Sequence, residues 1–210
     1  MATPTRDQLA AVRGRTIPDV VGTGLEILFC GINPSLYSAY TGHHFARPGN
    51  RFWPALYQAG LTPHQLAPAE QQRLTEWGLG ITNLVARATA RADELGPHEL
   101  EEGGRRLAAL LREHRPGCLA VLGVTAYRTA FRVPSAVIGP QSATLEAIPV
   151  WVLPNPSGLN AQWPLQRIAG ELDRMRNWIR GSAAYGAGSA AASVRPGPDG
   201  EGTTASRRVT

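Results

Sequence analysis

Four short apolar runs punctuate the chain: "LEILFC" at 25–30, "GLGITNLV" at 78–85, "GCLAVLG" at 117–123 and "VWVLP" at 150–154. Apolar runs of this length, without the alternation of a half-exposed strand, are the pattern of strands buried on both faces of a parallel sheet. Between them apolar positions recur at helical spacing in "NRFWPALYQAG", "APAEQQRLTEW", "GPHELEEGGRRLAALLREHRP" and the short "TAYRTAF". A final stretch, "PLQRIAGELDRMRNWIRG", opens on Pro164 and is expected to stop before Gly181. Strands alternating with helices predict an α/β fold, a three-layer sandwich around a mostly parallel central sheet.

The two ends of the chain read differently. Residues 1–20 are polar and rich in Pro, Thr and Arg, with one short helical stretch at "RDQLAAVRG", and are expected to form a flexible arm. From Gly181 onward, "GSAAYGAGSAAASVRPGPDGEGTTASRRVT" holds almost no large apolar residue. Such a segment cannot bury enough surface to offset its ordering entropy, so 181–210 reads as a disordered tail. One domain at 21–180 remains.

Composition then narrows the chemistry. A net charge of +5 permits a polyanionic partner without requiring one. All 21 basic residues are arginine. No lysine amine is present to form a Schiff base, and a Walker-type phosphate loop is excluded with it. The two cysteines, Cys30 and Cys118, lie at the edges of apolar runs without paired spacing, which marks them as buried free thiols and excludes a four-cysteine metal or cluster site. No apolar run reaches membrane-spanning length and no signal-like segment opens the chain, so the expectation is a soluble cytoplasmic protein.

In parallel sheets ligands bind beyond the carboxyl ends of the strands. There the first and last apolar runs both deliver an Asn-Pro-Ser turn, in "GINPSLYS" and "NPSGLNAQW", and the first leads on into "TGHHFARPGNRFW". A dinucleotide-binding loop is a poor rival, because "GTGLEI" precedes its strand and lacks the third glycine.

The combination of "GINPS", "ARPGNRFW" and "LPNPSGLN", spread over Leu25 to Trp178, resembles the mismatch-specific uracil-DNA glycosylases, the thymine-DNA glycosylase branch of their superfamily. That resemblance implies an enzyme that extrudes uracil from double-stranded DNA containing uracil or mismatches and hydrolyses its N-glycosidic bond, without cofactor or metal, as a monomer. It implies that Asn33 positions the hydrolytic water. Phe45 would stack on the flipped base, main-chain groups of Ile32 and Phe45 would read its edge, and Ser35 would stand beside its C5 position. Asn155 falls where stronger uracil-DNA glycosylases carry a histidine that stabilises the leaving anion. Ser157, Gly158, Leu159, Asn160 and Ala161 match the loop that enters the duplex, with Leu159 as the wedge. Ala161 departs from a basic residue in relatives, and Asn83 stands where some carry lysine. Arg47 and Arg51 are candidates for phosphate contacts, with the alternative that "PGNRFW" holds its own loop through Asn50 and Arg51.

The residues themselves leave three points open. Asp93, in the loop after the second strand, reads either as a catalytic carboxylate or as an N-cap or a surface acid paired with Arg87 or Arg91. His43 and His44 read as solvated loop residues. A non-catalytic binder of mismatched or single-stranded DNA on the same fold also fits.

Overall fold

A computed structural model describes residues 3–186, with side chains through 181. Five strands form one sheet: β1 (Ile27–Gly31), β2 (Leu79–Asn83), β3 (Cys118–Leu122), β4 (Gly139–Pro140) and β5 (Val150–Leu153), in the order β2-β1-β3-β5-β4. β1, β2, β3 and β5 run parallel, and the two-residue β4 pairs antiparallel at the edge. Each of the four apolar runs contains one of the four parallel strands, and every residue of those strands is buried.

Successive strand residues face opposite layers, as the pleat requires. Ile27 and Phe29 join α3 (Phe52–Gln58) and α6 (Leu165–Gly186) in one core with Trp53, Leu56, Leu172 and Met175. Leu28 and Cys30 join α4 (Pro97–His114) and α5 (Val124–Phe131) in the other, with Leu107, Leu111 and Tyr127. The fold is the expected three-layer sandwich. Because β1 lies between β2 and β3, the chain leaves it to one side and returns on the other, which opens a crevice at its carboxyl end.

Four elements differ from expectation. A short helix α2 (Leu36–Thr41) follows the first Asn-Pro-Ser turn, capped by the Ser35 hydroxyl at its start and by left-handed Gly42 at its end. Pro68–Trp77 is a 3-10 helix, not an α-helix; its buried residues, Gln71 and Leu74, are three apart, which fits three residues per turn. Helix α6 continues through Gly181 to Gly186; no proline lies in that stretch, and Ala183 and Ala184 favour helix. The rest of the expected tail, from 187 on, lies outside the described residues.

The fourth difference is the amino-terminal segment, which is a docked strap and not a loose arm. It opens with the five-residue helix α1 (Arg6–Ala10), and Val12, Ile17 and Val20 are buried along it. Val20 exchanges two main-chain hydrogen bonds of 2.8 Å with Ile81. Gly14 donates to the Ala88 carbonyl and Ala88 donates to that of Arg15, while Arg13 pairs with Glu94 and Asp19 with Arg106. Three apolar side chains at irregular spacing carry no periodic signal, so the sequence pattern missed them.

Helix α4 is seated by a glycine pair. A Cβ on Gly103 would collide with the main chain of Leu84, just after β2, and Gly104 packs against the Ala130 carbonyl of α5. We expect Gly103→Ala to lower unfolding stability by about 1–3 kcal/mol, despite alanine's better helix propensity, because the colliding atoms are backbone. Denaturant unfolding checks this; a stabilised variant would mean that α4 can shift freely.

Candidate active site

The crevice at the carboxyl end of β1 is a cleft of about 600 Å³. Its floor is Gly31 to Ser35 with Asn83 and Leu122. One lip is the loop after β2, Thr89 to Asp93, and the other brings Phe45, Arg47 and Asn50 beside Asn155, Ser157 and Leu159. The two Asn-Pro-Ser turns therefore meet in one place. Of the residues singled out from the sequence, Ile32, Asn33, Ser35, Phe45, Arg47, Asp93, Asn155, Ser157 and Leu159 line the cleft. Arg51 and Gly158 line an adjoining pocket, and Asn160 and Ala161 lie further along the loop.

Asn33 is held in one orientation. Its Nδ2 donates to the Arg87 carbonyl at 3.0 Å and to the Thr89 hydroxyl at 2.7 Å. Thr89 in turn gives its single proton to the Arg91 carbonyl at 2.7 Å, so toward Asn33 it can only accept. With Nδ2 tied on both hydrogens, Oδ1 is the group Asn33 can present to the cleft.

A second amide is fixed by a histidine. His44 is 2% exposed, not solvated as its loop position suggested. Its Nε2 lies 2.9 Å from the Pro18 carbonyl, which can only accept, so the ring proton is on Nε2. Nδ1 therefore accepts from Asn83 Nδ2 at 3.2 Å. Burial lowers the His44 pKa, which keeps the ring neutral and the arrangement intact. Asn83 Oδ1 is thereby turned toward Gly31, where a Cβ would strike it, and Gly31 must be glycine to leave that space. Nothing local in the sequence marked His44 or Asn83 as a partner of the other.

Phe45 adopts φ 53°, a left-handed conformation rare for an aromatic residue. One ring face stacks on Phe52 at 4.1 Å between centroids, and the residue also borders the cleft. The loop before it is fastened by Gln71, whose side chain accepts from His44 N and donates to the Gly42 carbonyl, and by the Trp53 indole, which donates to the His44 carbonyl. Ser38, which sequence reasoning passed over, is buried on α2 with its hydroxyl between Ser35 Oγ and Ala46 N. The Ser35 hydroxyl caps α2, so what it turns to the cleft is the bulk of a small side chain.

In the second turn, Asn155 Oδ1 accepts from Ser157 N at 3.0 Å, which leaves Nδ2 as its donor. Asn160 Nδ2 folds back onto the Asn155 carbonyl, whereas Leu159 is 76% exposed. Of the two roles open to Arg51, phosphate contact or loop brace, the side chain takes the second and is turned inward: NH1 donates to the carbonyls of Ser157, Asn160 and Trp163, and NH2 to that of Gly158. It is the clasp of the loop that carries Leu159.

Asp93 is an exposed acid paired with Arg91, with contacts of 3.0, 3.1 and 2.6 Å. The Arg91 guanidinium holds its carboxyl below the usual range, so it is ionised at neutral pH. Arg87 pairs instead with Glu99, whose pKa falls to about 2 through that bond. The cleft thus offers two oriented amide oxygens, an amide donor, an aromatic face, an ionised carboxylate and an apolar side chain at its mouth.

Residues 18–177 match the family model described as the Uracil DNA glycosylase superfamily. Among solved structures the chain is similar to the solution NMR structure of a proposed uracil DNA glycosylase from Methanosarcina acetivorans. The TM-score is 0.56 at 20% identity, over 80% of this chain and 98% of that one, a likeness of fold.

The Arg51 clasp generates a prediction. Arg51→Ala is expected to speed amide hydrogen exchange at Asn160 and Trp163 by about 10-fold or more while the sheet exchanges as before. Arg51→Lys is expected to resemble it, since one ammonium cannot serve four carbonyls. Unchanged exchange in both variants would show that the loop holds itself.

Proposed function

The chain belongs to the uracil DNA glycosylase superfamily, and from that premise we propose that it flips uracil out of DNA, best from G:U mismatches, and hydrolyses the N-glycosidic bond. The observation that carries this reading is the locked Asn33 amide, its oxygen the free acceptor on the floor of a cleft that also holds Phe45 and Asn83. On this reading Oδ1 accepts a hydrogen bond from water and aims its oxygen at the sugar C1′. The C1′–N1 bond breaks with its electron pair leaving on the uracil anion, and the water's proton is lost to solvent. An amide is no strong base, so the sugar must already be cationic when water bonds to it.

The remaining groups serve that charge separation. Asp93, an ionised carboxylate at the lip, stabilises the sugar cation electrostatically. Asn155 Nδ2 donates toward the departing anion. Asn83 Oδ1 accepts from the uracil N3–H; cytosine has no hydrogen there, so an acceptor at that point selects against it. Ser35 crowds the C5 position, a steric preference for uracil over thymine of about 1–3 kcal/mol. Leu159 fills the space the base leaves. With no lysine in the sequence to form a Schiff base, the product is an intact abasic site.

The test is strand scission of end-labelled oligonucleotides carrying uracil opposite G, opposite A, or in single strands, with and without hot alkali. Cleavage only after alkali, strongest opposite G, is expected. Binding without base release would make the protein a non-catalytic binder of mismatched or single-stranded DNA. Asn33→Ala is expected to reduce single-turnover release by about 100-fold or more with DNA binding retained. Thr89→Val, which removes the hydroxyl that fixes Asn33, should cost about 10-fold, the equivalent of one hydrogen bond of roughly 1.4 kcal/mol. A fully active Thr89→Val enzyme would mean that the amide needs no external orientation.

A further inference from the structure

Two arginines line the cleft, one on each lip, and only Asp93 among the lining residues carries a negative charge. Arg47 stands on one lip and Arg91 on the other, where it is engaged with Asp93. The two side chains are 76% and 62% exposed, so the pair is held in water, where such bonds are weak and readily exchanged. Its main chain is held independently: Thr89 Oγ1 donates to the Arg91 carbonyl and Arg91 N donates to Glu94 Oε1, with Glu94 anchored by Arg13. The side chain can therefore swing while the loop that orients Asn33 stays fixed. A DNA backbone laid across the cleft brings phosphates to both lips, and a guanidinium matches a phosphate as well as it matches a carboxylate.

We propose that Arg91 is a DNA-phosphate contact that exchanges its hold on Asp93 for the backbone, so that DNA binding itself uncovers the Asp93 carboxylate at the cleft. In the free protein the pair masks an acid that would otherwise repel the incoming backbone. In the complex the same acid stands unpaired at the lip. The inference concerns binding and deepens the proposed function without depending on base release.

The experiment compares the full chain with Arg91→Ala, Asp93→Ala and the double variant. Fluorescence anisotropy follows binding to a duplex carrying a tetrahydrofuran abasic analogue across a salt series. Phosphate contacts appear as the slope of log K against log salt, about 0.9 per phosphate. Asp93→Ala is expected to bind more tightly than wild type without loss of slope. The double variant is expected to bind more weakly than Asp93→Ala, with a slope shallower by about 0.9. If Arg91 only masks Asp93, removing the neutral pair changes nothing, and a double variant with the wild-type slope and affinity would overturn the proposal. The single Arg91→Ala variant weakens binding on either account, which is why the double variant decides. All substituted side chains are exposed, and circular dichroism verifies folding. Wild type that releases uracil while the double variant keeps its slope removes the Arg91 assignment alone. The expected slopes in a protein that releases no uracil leave that assignment standing and remove the proposed reaction.

Discussion

The geometry of the cleft depends on a single proton, the one that Thr89 gives to the Arg91 carbonyl. Because that proton is committed, Thr89 can only accept from Asn33, and the amide cannot turn over without placing oxygen against oxygen. The same constraint reaches outward. Thr89 N donates to the Pro34 carbonyl, so the turn that carries Asn33 and the loop that holds it are bonded to each other through main chain as well. A part-buried network of this kind is costly when half satisfied, which fixes the loop after β2 relative to the end of β1.

The amino-terminal strap extends the constraint to the whole site. Its main-chain bonds brace Ala88, next to Thr89, and its Pro18 carbonyl sets the tautomer of His44. One segment therefore stands behind both amides that face the cleft: Asn33 through the loop at 87–91, and Asn83 through the histidine. Arg106 joins the two, paired with Asp19 of the strap and donating to the Asn83 carbonyl. The strap presents almost no polar chemistry to the cleft, yet it holds the chemistry others present.

What was legible in the sequence follows from the range of the interactions. The parallel strands were readable because each must be apolar on both faces, and the two Asn-Pro-Ser turns because turn chemistry is local. Asn33 and Asn155 were placed at one cleft by the rule for parallel sheets, since β1 and β5 both end at the carboxyl end of the sheet, whereas Phe45 and Leu159 were found through the family resemblance. His44 was not readable: its partners are 26 and 39 residues away and neither leaves a periodic trace. For Arg51 the sequence left two readings open, a phosphate contact or a brace for its loop, and could not decide between them because its four acceptors are carbonyls of a loop more than a hundred residues on.

The inward turn of Arg51 bears on how a chain whose Lys and Arg positions are all arginine can handle a polyanion. Arg13, Arg87 and Arg106 are bound to Glu94, Glu99 and Asp19, and Arg51 to carbonyls, so around the cleft guanidinium groups work first as braces for loops. A guanidinium suits that task, with five donors in a rigid fork that one carbonyl or carboxylate cannot exhaust. The consequence is that net charge overstates what the site can offer to DNA. On the proposed reading, affinity rests on few side-chain charges at the lips and on main-chain N–H groups of the turns, and so depends on loop geometry more than on charge count. The bracing arginines and the cleft's specificity are then one design: loosening a loop removes donors and positioning together.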